Sequence, residues 1–170
     1  VWATDPELAR DVACALMRDA VTLCLEPSLA DDLGRWLGLP AKEPVHLAIY
    51  RKKARPRPDA AHPVRPLGEA DLSAVRQRMT HPEYQTDAQT LELLRAGDVL
   101  GAFAGDELVG FVGEQTEGSM GMLEVFEDFR RHGWALALES AKICQVLDRG
   151  QTPWCEVWPD NVASVRLQRR

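Results

Sequence analysis

Apolar residues recur at helical spacing along Leu8, Val12 and Leu16, and again along Leu29, Leu33, Trp36 and Leu37. This pattern predicts two amphipathic helices in the first forty positions. Asp5 and Pro6 suit the start of the first, Ser28 can cap the second, and Gly38 ends it. Residues 21–25 and 45–50 read as strands, giving a helix–strand–helix–strand order. Farther along, Leu72, Val75 and Met79 predict a helix over residues 69–79, and a second is expected over residues 87–96, capped near Thr86 and stopped by Gly97. Residues 81–84 between them read as a loop. Three strand-like runs follow at 99–104, 108–114 and 119–125, the first two joined by the turn Gly105-Asp106-Glu107. A helix from Trp134 presents Leu136, Ser140, Ile143 and Leu147 as one stripe toward a sheet. A strand at 154–157 and a helix after Asn161 complete the pattern.

Proline and like charge interrupt it once, at Arg51-Lys52-Lys53-Ala54-Arg55-Pro56-Arg57-Pro58. That composition predicts an extended, solvated connector. The expected organisation is an αβ unit over 1–53, a basic proline-rich linker over 54–63 and a main domain over 64–170. At 170 residues and 45% apolar content the chain can bury a substantial core. A net charge of −6 disfavours broad nucleic-acid binding, so no nucleic-acid partner is expected. No apolar run approaches membrane-spanning length and no signal-peptide pattern is present, so neither a membrane partner nor secretion is expected. The four cysteines lie far apart and form no C-x-x-C, which reads as reduced core thiols in a cytoplasmic protein without metal.

The richest segment chemically is Arg130-Arg131-His132-Gly133-Trp134-Ala135, between the third strand-like run and the helix. A basic, glycine-containing turn that opens a helix directs several unpaired N–H groups and a positive dipole end toward one point, which suits phosphate. Downstream, residues 154–157 and then Asn161, Ser164 and Leu167 follow at short spacing. This order resembles the GNAT N-acetyltransferases. The wording of residues 117–125 is similar to the C-terminal part of glycine N-acyltransferases. The resemblance covers roughly 64–170 and implies an α/β fold with a mixed, mostly antiparallel central sheet flanked by helices, preceded here by the small αβαβ unit. It implies acetyl-CoA as acyl donor, a primary amine as acceptor, and allows a homodimer. It further implies that Leu123, Glu124 and Val125 pair with the pantetheine arm in a gap between two splayed strands. Arg130, Arg131, His132, Gly133, Trp134, Ala135 and Leu136 would then surround the diphosphate, and Asn161 would contact the cofactor.

Direct acyl transfer needs a base for the amine, a donor for the oxyanion and a proton for the departing thiolate. By resemblance, a main-chain N–H near Val125 serves the oxyanion and Glu156 is the first candidate base, followed by Glu117 and Glu124. Strand alternation separates Glu117 from Glu124 unless a bulge intervenes. Many GNAT enzymes have a tyrosine as acid where this chain has Gln168. A neutral amide can hold a hydrogen bond there but is no useful acid. Family members also continue past the position of Arg170, so a sheet edge and part of the acceptor pocket are expected beyond it. An acyl-CoA-binding sensor or scaffold is the alternative that Gln168 keeps open. A nucleic-acid-associated role for the cations at 51–57 ranks third.

Overall fold

A computed structural model describes Glu7, Arg10, Asp11 and residues 27–38, 44–52 and 54–170. The first expected helix lies mostly, and the strand at 21–25 entirely, outside them. By packing, the chain divides into two units, Val1–Pro44 and Val45–Arg170. Among its described residues, the first unit contributes α1 (Pro27–Leu37), which Gly38 follows with a positive φ of 64°.

In the second unit the expected strand at 45–50 forms as β1 (His46–Ile49). Next come β2 (Val64–Pro66), α2 (Leu72–Arg78) and α3 (Asp87–Ala96). A single 3-10 turn, Glu69–Asp71, replaces the first turn of the helix expected from residue 69. Thr86 caps α3 by accepting from the Gln89 N–H, Gln89 reaches back to the Thr86 N–H, and Gly97 closes the helix in the left-handed region. The meander β3 (Leu100–Ala104), β4 (Glu107–Glu114) and β5 (Met120–Val125) follows, then α4 (Trp134–Asp148), β6 (Trp154–Val157) and α5 (Val162–Gln168).

The strands form two antiparallel sheets, one in the order β2-β3-β4-β5 and one pairing β1 with β6. Leu47 stands opposite Glu156 and Ala48 opposite Cys155. One face of the larger sheet packs on α2 and α3 through Phe111, Val75 and Leu94. Its other face packs on α4 through Val112, Trp134 and Leu138. A third cluster joins Met120 of β5, Ile143 and Val146 of α4, and Cys155 and Val157 of β6. The chain is therefore a mixed α/β protein with antiparallel sheets flanked by helices. No described helix is long and apolar enough to cross a membrane.

The stripe expected on α4 is only partly the buried one. Leu136 is 41% exposed, whereas Leu138 is fully buried and Ala137 nearly so. The helix packs on two surfaces at once, β4 on one side and β6 on the other, so its buried arc is wider than a single stripe. That arc takes in two ionisable side chains, Glu139 and Lys142.

Candidate functional site

Elementary strand geometry decides where the three expected carboxylates go. On β4 and β5, Phe111 pairs with Glu124 and Gly113 with Gly121, so two residues of β5, Met122 and Leu123, oppose the single Val112. This is a bulge, with Met122 in the left-handed region at φ 54°. Phe111 and Gly113 share a face of β4, so the bulge brings Glu124 onto the face of Gly121, away from α4. The condition attached to Glu117 and Glu124 is thus met in the backbone, yet Glu124 is engaged elsewhere: its Oε1 accepts from the Thr80 N–H at 2.8 Å. Glu117 lies in the turn before β5 and accepts from the Ser119 hydroxyl.

Glu156 alternates with Cys155 and Val157, which face α4, and so projects from the other side of β6. Partial burial raises its pKa, and the charge of Glu117 raises it further. The two highest-ranked carboxylates therefore fall within electrostatic range of each other. Cys155, by contrast, is pushed up to about 12, first by burial and then by the charges of Glu139 and Glu156. It stays a neutral thiol near neutral pH and offers no nucleophile.

β5 is hydrogen-bonded to β4 on one side, and among the described residues no ladder joins it to β6. Met120 at its start packs with β6, while Leu123 and Val125 pack into the α4-side cluster. The Val125 carbonyl at the end of β5 accepts from Arg130 Nε at 3.0 Å. Arg130 thereby ties the expected phosphate turn to the strand end. Arg131 takes a left-handed φ of 66° and Gly133 one of 96°, after which α4 begins at Trp134 as expected. Arg130, Arg131 and His132 are exposed, Trp134 is buried, Ala135 is half-buried and Leu136 is exposed.

Sequence reasoning missed what stands behind this turn. His62 Nε2 lies 2.7 Å from the His132 carbonyl oxygen, its Nδ1 lies 2.7 Å from Asp59 Oδ2, and its ring meets Trp134 edge-on at 4.5 Å. Both partners are acceptors, so the two bonds form together only when each ring nitrogen carries a hydrogen. The bond to His62 also pulls the Asp59 carboxyl below its ordinary range. A Cβ on Gly133 would stand 3.1 Å from His62 Cε1, so an added side chain would press on the histidine ring as well as strain φ. Gly133→Ala is expected to cost about 1–3 kcal/mol, from the left-handed backbone and the displaced ring. Urea unfolding measures this, and an unchanged midpoint would mean that the ring moves aside freely.

Asn161 acts as the cap of α5, its Oδ1 accepting from the Ser164 N–H at 3.1 Å. Between α4, α5 and the β1–β6 pair lies a cavity of about 970 Å³. Met120, Glu139, Cys155 and Gln168 line it. Glu139 is 6% exposed, and its Oε2 has no hydrogen-bond partner. Burial raises its pKa to about 7, and the neighbouring Gln168 amide works the other way. The sequence did carry a trace of this site, a single carboxylate inside the apolar run Leu136-Ala137-Leu138-Glu139.

Residues 99–170 match the family model described as FR47-like protein, under half of the chain. No curated protein sequence matches it. Among solved structures, a Drosophila protein is similar with a TM-score of 0.68 at 16% identity, covering 85% of this chain and 53% of its own. An acetyltransferase from the GNAT family of Colwellia psychrerythraea gives 0.61 at 13%, with 98% and 69% covered. Ard1 from Thermoplasma volcanium gives 0.55 at 24%, with 65% and 80% covered. This chain spans about half the length of the first of these. At such identities the likeness is one of architecture: this chain has the fold seen in GNAT acetyltransferases, with an FR47-like match over its last four strands and two helices.

Proposed function

We propose that this chain is an acyl-CoA-dependent N-acyltransferase, moving an acetyl or acyl group directly from acetyl-CoA to the primary amine of a small molecule, amino acid or peptide. One observation carries the reading: β5 and β6 lie side by side without a ladder, next to a helix that opens at a basic, glycine-containing turn. An unpaired strand edge offers main-chain donors and acceptors to an extended amide-bearing arm, as an added strand would. Leu123, Glu124 and Val125 supply that edge. The turn supplies N–H groups from Arg131 to Leu136 and the charge of Arg130 and Arg131 for a diphosphate, and Asn161 lies beyond β6 at the start of α5. The likeness of residues 117–125 to glycine N-acyltransferases supports a small amino compound as acceptor.

In this reading Glu156 takes the amine proton. Its raised pKa brings the carboxylate closer to working pH, where a base is most effective, and Glu117 contributes to that shift. Glu124 ranks third, since its carboxylate already holds the Thr80 N–H. The test is calorimetry with acetyl-CoA, followed by free-thiol release over a panel of amines. Glu156→Gln is expected to lower kcat roughly a hundredfold with acetyl-CoA affinity retained, and Glu117→Gln to have a smaller effect. Equal rates for Glu156→Gln and parent would remove Glu156 from the reaction. Gln168 favours a second reading, a non-catalytic acyl-CoA sensor or scaffold, which predicts heat on binding and no turnover with any amine.

A further inference from the structure

The acyltransfer reading leaves one proton without a source. As the C–N bond forms and the C–S bond breaks, the bonding electron pair leaves on sulfur, which must then be protonated. Gln168 cannot supply that proton, but it lines the same cavity as a group that can, Glu139. Resting on the acyltransferase reading, we propose that the Glu139 side chain, buried on α4 in the cavity that Gln168 also lines against β6, is the proton donor to the departing thiolate.

Three observations place it there. Glu139 shares its cavity with Met120 of β5 and Cys155 of β6, the two strands that lack a common ladder. It lies on the α4 side of β6, whereas Glu156 projects from the opposite side, so base and acid stand on opposite faces of that strand. Its Oε2 is buried without a hydrogen-bond partner, so no donor there stabilises the ionised form over the protonated one. After transfer Glu139 is a carboxylate, and water restores its proton through the cavity mouth.

Burial raises the pKa of the carboxyl to about 7, so a protonated fraction persists near neutral pH although Gln168 works the other way. The titratable groups around the same cavity are Cys155 from β6, His46 and Tyr50 from β1 and the residue after it, and the cations Arg51, Lys52, Arg55, Arg169 and Arg170. Arg55 is already paired with Asp148, and Lys52 donates to the Arg170 carbonyl.

The decisive experiment follows the Glu139 carboxyl carbon by NMR through a pH titration, with Glu139→Gln identifying the resonance. The protein is titrated alone, with coenzyme A and with desulfo-coenzyme A, which lacks the sulfur. The expected result is that coenzyme A moves the Glu139 midpoint and desulfo-coenzyme A does not reproduce that shift. If calorimetry shows both ligands bound and the Glu139 resonance responds identically to them, the assignment is overturned while the acyltransferase reading stands. If neither ligand binds, the acyltransferase reading falls and takes this one with it. With an accepted amine, Glu139→Gln is expected to slow kcat about a hundredfold and to abolish the alkaline limb of its pH profile. A limb unchanged in the variant would likewise overturn the proposal.

Discussion

Glu114→Ala is expected to destabilise the second unit by about 3–5 kcal/mol, because it strands a buried ammonium. Lys142 Nζ lies 2.6 Å from Glu114 Oε1, and the lysine side chain is 0% exposed. Its other partners are neutral oxygens, the Asp98 carbonyl and Gln145 Oε1, each at 2.7 Å. Burial already pulls the Lys142 pKa down, and Glu114 is the strongest influence holding its charge. Arg149 reaches the same carboxylate at 3.0 Å and also pairs with Asp98. The cluster fastens the middle of α4 to the end of β4, so its loss loosens the helix that carries both Gly133 and Glu139. Urea unfolding at neutral pH measures the cost. Replacing the pair together, Glu114→Leu with Lys142→Met, is expected to recover most of it, since matched apolar groups carry no desolvation penalty. An unaltered midpoint for Glu114→Ala would show that water reaches the lysine after all.

Local signals were the legible part of this fold. Thr86 and Gly97 bound α3 where capping chemistry put them, Gly105 closes the β3–β4 hairpin, and α4 starts at Trp134. Each of these depends on a few adjacent residues, which a sequence displays directly. Two other features depend on partners distant in the chain. β1 pairs with β6 over a hundred positions later, and four residues of alternating pattern contain nothing that names such a partner. The burial of Glu139 and Lys142 has the same origin, for a helix packed on two surfaces buries positions that a one-stripe reading assigns to solvent.

The candidate site divides along the same line. The turn at Gly133 could be read as a turn, but not the histidine behind it, because His62 arrives from a segment whose charge and prolines spoke only of a connector. Glu117 and Glu156 could each be singled out, but their mutual influence arises from the packing of β6 beside β5. Gln168 marked a missing acid without pointing to the carboxyl that shares its cavity, since nothing along the chain connects α5 to the second turn of α4.

A buried carboxyl of this kind predicts a pH-dependent stability, and its sign is fixed. The Glu139 pKa is about 7 in the folded chain against an ordinary 4.5, raised by burial. Between those values the folded state holds a proton that the unfolded state has lost. Stability is therefore highest below the ordinary value, falls as pH rises toward the folded value, and is flat above it. The difference of 7 − 4.5 corresponds to about 3 kcal/mol at roughly 1.4 kcal/mol for each pKa unit. Glu139→Gln keeps the shape but carries no charge at any pH. The variant is expected to match the parent below about pH 4 and to exceed its stability by up to about 3 kcal/mol near pH 8. Urea unfolding of both proteins across this range gives the comparison directly. Two curves that run parallel would mean that the carboxyl titrates alike in folded and unfolded chains, and the buried, half-partnered side chain would lose its physical basis as a proton store. Divergence in the stated direction, together with a slower enzyme, would identify Glu139 as a group that costs the fold stability in return for chemistry.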